Sequence, residues 1–129
     1  MREIKFRGYN GDFKLRNGGW IIGSFIRNDL YGLIIPLDKM AYKEYPVLVE
    51  TVGQFTGLLD KNGKEIYEGD ILGSEKYSTL IVGFYRSMFC TYFINAEICD
   101  SDPINDLSTS HYKIIGNIYE NPELLILKE

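Results

Sequence analysis

The sequence predicts a mainly β fold for this chain of 129 residues, and three observations carry that prediction. Short apolar runs alternate with polar residues at a period of two, which sends successive side chains to opposite faces of a strand. Glycine-containing corners recur between those runs. No segment sustains the 3.6-residue apolar period of a long amphipathic helix. The expected architecture is an SH3-like barrel portion in the C-terminal half, with an N-terminal β-hairpin and β extension and two or three short helical turns. Residues 1–50 are read as the N-terminal β region and 51–129 as the barrel region, sharing one core.

The stretch that organises the chain is 52–72. It holds two short apolar runs joined by Asp60-Lys61-Asn62-Gly63, then a second corner at Glu68-Gly69-Asp70. Asn62-Gly63 tolerates left-handed backbone, so 55–59 and 65–67 are expected to pair as a hairpin. Gly53 and Gly57 inside a strand indicate a bulge or a close backbone approach. The Glu68-Gly69-Asp70 corner re-aims the chain into Ile71-Leu72.

Upstream, Ile4 and Phe6 alternate with Glu3, Lys5 and Arg7, a strand with one wet face. Asn10-Gly11 is a strong hairpin signal, after which Phe13 and Leu15 return along a partner strand. Gly18-Gly19 is a break, and 20–26 reads as a strand. Asn28-Asp29 makes a turn, and Leu33-Ile34-Ile35 is a short strand closed by Pro36. Asp38 can cap one or two helical turns over 39–44. Pro46 ends that piece before Val47-Leu48-Val49.

Downstream, 79–85 and 88–96 flank Arg86-Ser87 as a second hairpin. Both faces of 88–96 are apolar: Met88, Cys90, Tyr92, Ile94 and Ala96 share one parity, and Phe89, Thr91 and Phe93 share the other. Such a strand is either central to two layers or meets another subunit. Residues 100–110 form a polar loop in which Asp102-Pro103 can open a helical turn. From His111 to Tyr119 the pattern alternates again. Asn121-Pro122-Glu123 reads as N-cap, first helical position and acidic first turn of a short helix.

Composition narrows the function classes. Ten Tyr, seven Phe and one Trp make an aromatic-rich chain, suited to strands and interfaces. The net charge of −4 and pI of about 5.0 argue against a general nucleic-acid coat. The charge is uneven, because Arg2, Lys5, Arg7, Lys14 and Arg16 face only Glu3 and Asp12 in the first 16 residues. A solvated basic edge is the simpler reading of that cluster. There is no signal-peptide pattern and no apolar run near 18 residues, so a soluble cytoplasmic setting with reduced thiols is expected, with no membrane contact.

Catalytic chemistry finds little support. The chain has two Cys and one His, too few for a four-ligand Cys/His zinc site. His111 has no evident partner, Cys90 falls on an apolar stripe, and Cys99 adjoins Asp100, which disfavours a thiolate. Asp60, Glu68 and Asp70 bracket one hairpin and could hold a hard cation or share acid–base work. Turn capping explains all three more simply. No phosphate loop or dinucleotide fingerprint is present, and no cofactor is implied.

Three blocks resemble the YopX-like proteins of phages and prophages: Met1-Arg2-Glu3-Ile4-Lys5-Phe6-Arg7; Gln54-Phe55-Thr56-Gly57-Leu58 continuing through 60–71; and Ile115-Gly116-Asn117-Ile118-Tyr119-Glu120-Asn121-Pro122-Glu123-Leu124-Leu125. They cover about a third of the chain in the expected order. The resemblance implies a β-rich fold with an SH3-like portion, a phage origin and self-association, and it implies no catalytic residues. The chain departs from the family after Arg7, where Gly8-Tyr9-Asn10 replaces an aromatic–acid pair, and its 30–45 stretch is individual.

The functional expectation is a non-enzymatic accessory protein of the phage-infected cell, acting as a homo-oligomer that binds a phage or host protein. Gln54, Thr56, Tyr67, Asn117, Tyr119 and Glu120 are the candidates for a shared surface, each with a turn or strand-end hydrogen bond as the plainer alternative. A second reading is nucleic-acid binding through Arg2, Lys5, Arg7, Lys14 and Arg16 beside aromatic strands. The remote third is a cation-dependent enzyme built on Asp60, Glu68 and Asp70.

Overall fold

The computed structural model describes residues 3–11, 19–27, 32–36, 44–94, 96–98, 101–105 and 110–126. Two compact units divide the chain, Met1–Phe55 and Thr56–Glu129. Ten strands are present among the described residues. The mainly β prediction holds.

In the first unit, β1 (Phe6–Tyr9), β2 (Trp20–Arg27), β3 (Gly32–Pro36) and β4 (Tyr45–Leu59, which runs on into the second unit) pair antiparallel in sequence order. β1 also pairs with β4, so the pairings close on themselves. Closure demands an irregularity. The β1–β4 register shifts between Arg7 and Tyr9. There the buried Thr51 hydroxyl accepts the Tyr9 N–H at 3.0 Å and donates to the Leu48 carbonyl at 2.6 Å. The ladder bonds lost at the bulge are thus replaced by a side chain. Ile21, Ile34 and Val47 form the core, with Phe6, Phe25, Tyr45 and Val52 packed around them. Gly23 on β2 permits the β2–β3 approach, since a Cβ there would lie 1.9 Å from the Ile35 carbonyl oxygen.

Asn10 leaves β1 as a turn residue, its N–H donating to the Gly19 carbonyl at 3.0 Å. The strand that pairs with β1 is β2, in register Tyr9↔Trp20. The expected return strand at Phe13 and Leu15, the Asn28-Asp29 turn and the helical turns over 39–43 lie outside the described residues. Pro46 does not end an element. It sits second in β4, paired with Leu33, a strand-start position where a missing N–H costs least.

In the second unit, the end of β4 pairs with β5 (Glu65–Tyr67) as the expected hairpin. Gly63 turns it at φ 83°, with its N–H donating to the Asp60 carbonyl at 3.0 Å. The remaining strands are β6 (Asp70–Gly73), β7 (Leu80–Tyr85), β8 (Met88–Phe93), β9 (Asp102–Pro103) and β10 (Lys113–Asn117). They form one antiparallel sheet in the order β10-β6-β7-β8-β9. Ile66, Leu72, Leu80, Val82 and Tyr112 make the core, flanked by Ile104 and Ile114. Burying each aliphatic side chain contributes roughly 1.5–3 kcal/mol against an exposed reference.

The two-sided apolar pattern of β8 is met within the chain over its middle. Phe89, Cys90 and Thr91 are all buried, while Met88 and Phe93 at the ends are exposed. Asp102-Pro103 is a strand where a helical turn was expected: it pairs with Cys90 and Thr91 as a two-residue edge. A proline without an N–H suits a sheet edge, which must not offer a long unpaired ladder. The helical content among the described residues is slight. Pro122–Leu125 is a single 3-10 turn, and Asn121, expected as its cap, makes no side-chain capping bond. Its Oδ1 instead accepts the Asn117 N–H at 3.1 Å.

The β7–β8 hairpin turns through Arg86 at φ 51° and Ser87 at φ 62°, between the paired Tyr85 and Met88. Two consecutive left-handed residues define a type I′ turn, normally filled by Asn-Gly. A side chain there costs about 1–2 kcal/mol. Replacing Ser87→Gly is therefore expected to raise unfolding free energy by about 1 kcal/mol in a denaturant titration, and an unchanged or lowered midpoint would show the turn to be relaxed as it stands.

Candidate functional site

The residues singled out from the sequence prove to be mostly internal fastenings. Asp60, buried at the start of the turn, receives three backbone N–H groups. Its Oδ1 accepts from Asn62 at 2.8 Å and Lys64 at 2.9 Å, and its Oδ2 accepts from Ile114 of β10 at 2.9 Å. Burial pushes the Asp60 pKa up, but the N–H bonds from Ile114, Lys64 and Asn62 and the Lys64 charge outweigh it, leaving the carboxyl below its ordinary value of 3.8. Asp70, also buried, accepts the Tyr67 N–H at 2.7 Å and closes the Glu68-Gly69 corner.

Thr56 donates its hydroxyl to the Ile66 carbonyl at 2.8 Å, and the Tyr67 hydroxyl reaches Glu65 at 3.3 Å. Both side chains are buried. Asn117 is buried as well, because β10 carries a bulge between Ile114 and Gly116 that displaces the simple alternation. Its Oδ1 accepts the N–H groups of Tyr119 at 3.0 Å and Glu120 at 2.9 Å, and its Nδ2 donates to Glu120 at 3.0 Å. Tyr119 lays its ring against Gly69. Of the six candidates for a shared surface, Tyr119 and Glu120 are exposed and Gln54, on β4 of the first unit, is half-buried.

The basic edge is similarly engaged. Lys5 is buried, with its ammonium 4.9 Å from the centre of the Phe55 ring and 3.5 Å from Glu3. Arg7 stacks its guanidinium 4.7 Å from the Trp20 ring centre. Arg2, Lys14 and Arg16 lie outside the described residues, as does Cys99. The described residues contain no group of three or more His, Cys, Asp or Glu side chains placed to hold a metal ion, so Asp60, Glu68 and Asp70 do not form one.

A cavity that the sequence did not reveal lies in the second unit. It has a volume of about 460 Å³ and is predominantly apolar. Leu80, Thr91, Tyr92 and Phe93 of the β7–β8 hairpin contribute one wall, and Asp102, Pro103 and Asn105 of the β9 edge another. Tyr77, His111 and Tyr112 complete it. Tyr77 stands edge-on to His111 at 5.7 Å and lies 6.3 Å from Tyr112. Tyr112 is anchored through its hydroxyl to the Ser78 carbonyl at 3.0 Å. Burial, with the neighbouring Tyr77, pushes the Tyr112 phenol above its ordinary value, and burial with Cys90 does the same for Tyr92.

A smaller polar cavity of about 180 Å³ adjoins it and shares Tyr77 and His111. Its other lining residues are Lys61, Ser74, Glu75, Lys76 and Ser110. The sequence signal for both was the tyrosine content and the single histidine, but the residues come from five separated segments that the fold brings together.

The model of the YopX protein family matches residues 19–126. The chain belongs to the YopX family. Two of the three sequence blocks that resemble the family fall inside that stretch, and the opening block, 1–7, precedes it. Among solved structures, protein EF1440 from Enterococcus faecalis is similar to this YopX chain, with 27% identity and a TM-score of 0.60. The match covers 98% of this chain and 100% of that one. No curated protein matches. No helix among the described residues is long and apolar enough to cross a membrane.

Removing the Asp60 carboxylate by Asp60→Ala strands two N–H groups of the turn and that of Ile114, and is expected to lower stability by about 3 kcal/mol. The acid limb tests the same bond. Because the folded carboxyl titrates below 3.8, its contribution is complete above that pH and fades as pH falls through the folded value. The wild-type denaturant midpoint should drop in that window, and the Asp60→Ala chain should show a shallower drop.

Proposed function

We propose that this YopX protein is a phage- or prophage-encoded accessory protein of the host cytoplasm that works by binding as a homo-oligomer, without catalysing a reaction. The observation that carries the binding part is the aromatic cavity beside β8. Tyr77 and Phe93 are each about half exposed at its lining, at 53% and 52%. Its volume of about 460 Å³ falls in the range of small-ligand sites, which runs from roughly 300 to 1,000 Å³. An apolar chamber with a few polar groups at its edge favours recognition by shape and stacking. The SH3-like reading of the second unit belongs to this proposal: small barrels of that kind commonly bind through aromatic grooves beside their loops.

Indole is a suitable probe of the cavity. Titrated into isotope-labelled protein, it should shift the amide signals of Tyr77, Tyr92 and His111, and Tyr77→Ala should weaken the response several-fold without unfolding the chain. Shifts absent from those three residues would remove the binding seat.

Self-association is supported by the exposed large apolar side chains of the second unit outside the cavity, Leu59, Phe84, Met88, Ile115, Tyr119 and Ile126. Light scattering on a sizing column at high micromolar concentration should give a mass that is a multiple of 14.9 kDa in low and high salt alike. A sharp monomer peak would leave binding by a single chain.

A further inference from the structure

We propose that the two adjoining cavities form one seat for a nucleotide unit, with the base among the rings and the phosphate on the lysines. This rests on the binding reading and names its ligand. The first observation is adjacency: Tyr77 and His111 line both spaces. The second is their opposite chemistry. One is walled by Tyr77, Tyr92, Phe93 and Tyr112, and the other carries Lys61, Lys76 and two serines.

Every nucleobase offers a π-face to aromatic side chains, and such stacking tolerates any sequence. The apolar cavity, at about 460 Å³, has room for a base and its sugar. Its polar edge is Asp102 and Asn105. A carboxylate accepts from exocyclic amino groups, as Asp and Glu do from cytosine N4. Bases that carry an amino group should therefore outbind uracil.

Phosphate fits the polar cavity for equally elementary reasons. Two ammonium groups supply charge, and Ser74 and Ser110 supply hydroxyls. Ser74 already accepts the Lys76 N–H through its Oγ at 3.2 Å, which leaves its own proton to donate. Glu75 also lines this space and opposes an anion, and the two lysines outweigh it in formal charge. Lys61 is held beside the rings because its backbone N–H donates to the Tyr112 carbonyl at 3.0 Å. The chain's net charge of −4 disfavours a long polyanion spread over its surface and suits a local grip on one unit.

The test titrates labelled protein with cytidine 5′-monophosphate, cytidine, uridine 5′-monophosphate, inorganic phosphate and a short single-stranded oligocytidine. Cytidine monophosphate should shift Lys61, Lys76, Tyr77 and His111, and bind about tenfold more tightly than cytidine or uridine monophosphate. Lys61→Ala combined with Lys76→Ala, both exposed positions, should erase the advantage over cytidine and leave cytidine binding intact. A tighter oligocytidine would identify the unit as part of a strand, and a tighter mononucleotide would identify it as a free nucleotide. Equal binding of cytidine and its monophosphate, shifts mapping elsewhere, or no shift with any nucleotide would overturn the proposal. If indole still enters the cavity in that event, the binding reading stands and the nucleotide falls; if indole fails too, both fall.

Discussion

The second unit depends on one carboxylate. Asp60 sits where β4 ends and receives N–H groups from its own turn and from Ile114, 54 positions along the chain. The hairpin that β5, three residues long, makes with the end of β4 is marginal alone. Fastened at its tip to β10, it becomes part of a sheet-bearing unit. The charged acceptor is well chosen, because an ionised carboxylate has several lone-pair sites and bonds N–H groups more strongly than a neutral oxygen does. Lys61, the next residue, adds a backbone bond to the Tyr112 carbonyl. Two successive residues thus tie the turn to β10 and to Tyr112 just before it, which lines the cavity.

That fastening gives the strongest sequence motif a structural task. Asp60, Asp70 and Asn117 are acidic or amide side chains in corners, the residue types that also perform chemistry. In each case the acceptor oxygens are spent on backbone N–H groups that a tight turn would otherwise leave unbonded. The sequence spoke clearly about such turns, because Asn-Gly and Gly-Asp corners restrict the backbone locally. It was equally clear about β7 and β8, whose apolar runs flank a two-residue loop.

Other features were illegible for physical reasons. Asp102-Pro103 carries the local signature of a helix start, yet pairing with Cys90 and Thr91 is a tertiary fact that propensity does not contain. The burial of Asn117 follows from a bulge at Ile115, and a one-residue insertion reverses every facing after it. The cavity was hidden most completely. Tyr77, Phe93, Asp102 and His111 share no motif and no period. His111 in particular reads as an isolated side chain until Tyr77 is seen 5.7 Å away.

The turn-closing residues and the cavity-lining residues fall in different parts of this chain. The blocks that resemble the YopX family, 54–58, 60–71 and 115–125, hold the turn-closing residues Thr56, Asp60, Asp70 and Asn117. None of the residues lining the aromatic cavity lies in those blocks. The polar cavity takes only Lys61 from them, the residue whose position the Asp60 turn fixes. A side chain buried among backbone bonds cannot change without cost to the fold, whereas an exposed ring on a loop can. Tyr77 is such a ring, and Phe93 is exposed at the last position of β8. The cavity lining around β8 is therefore free to change while the fastened corners keep the fold, and the same separation explains why the motifs mark the frame and not the cavity beside it.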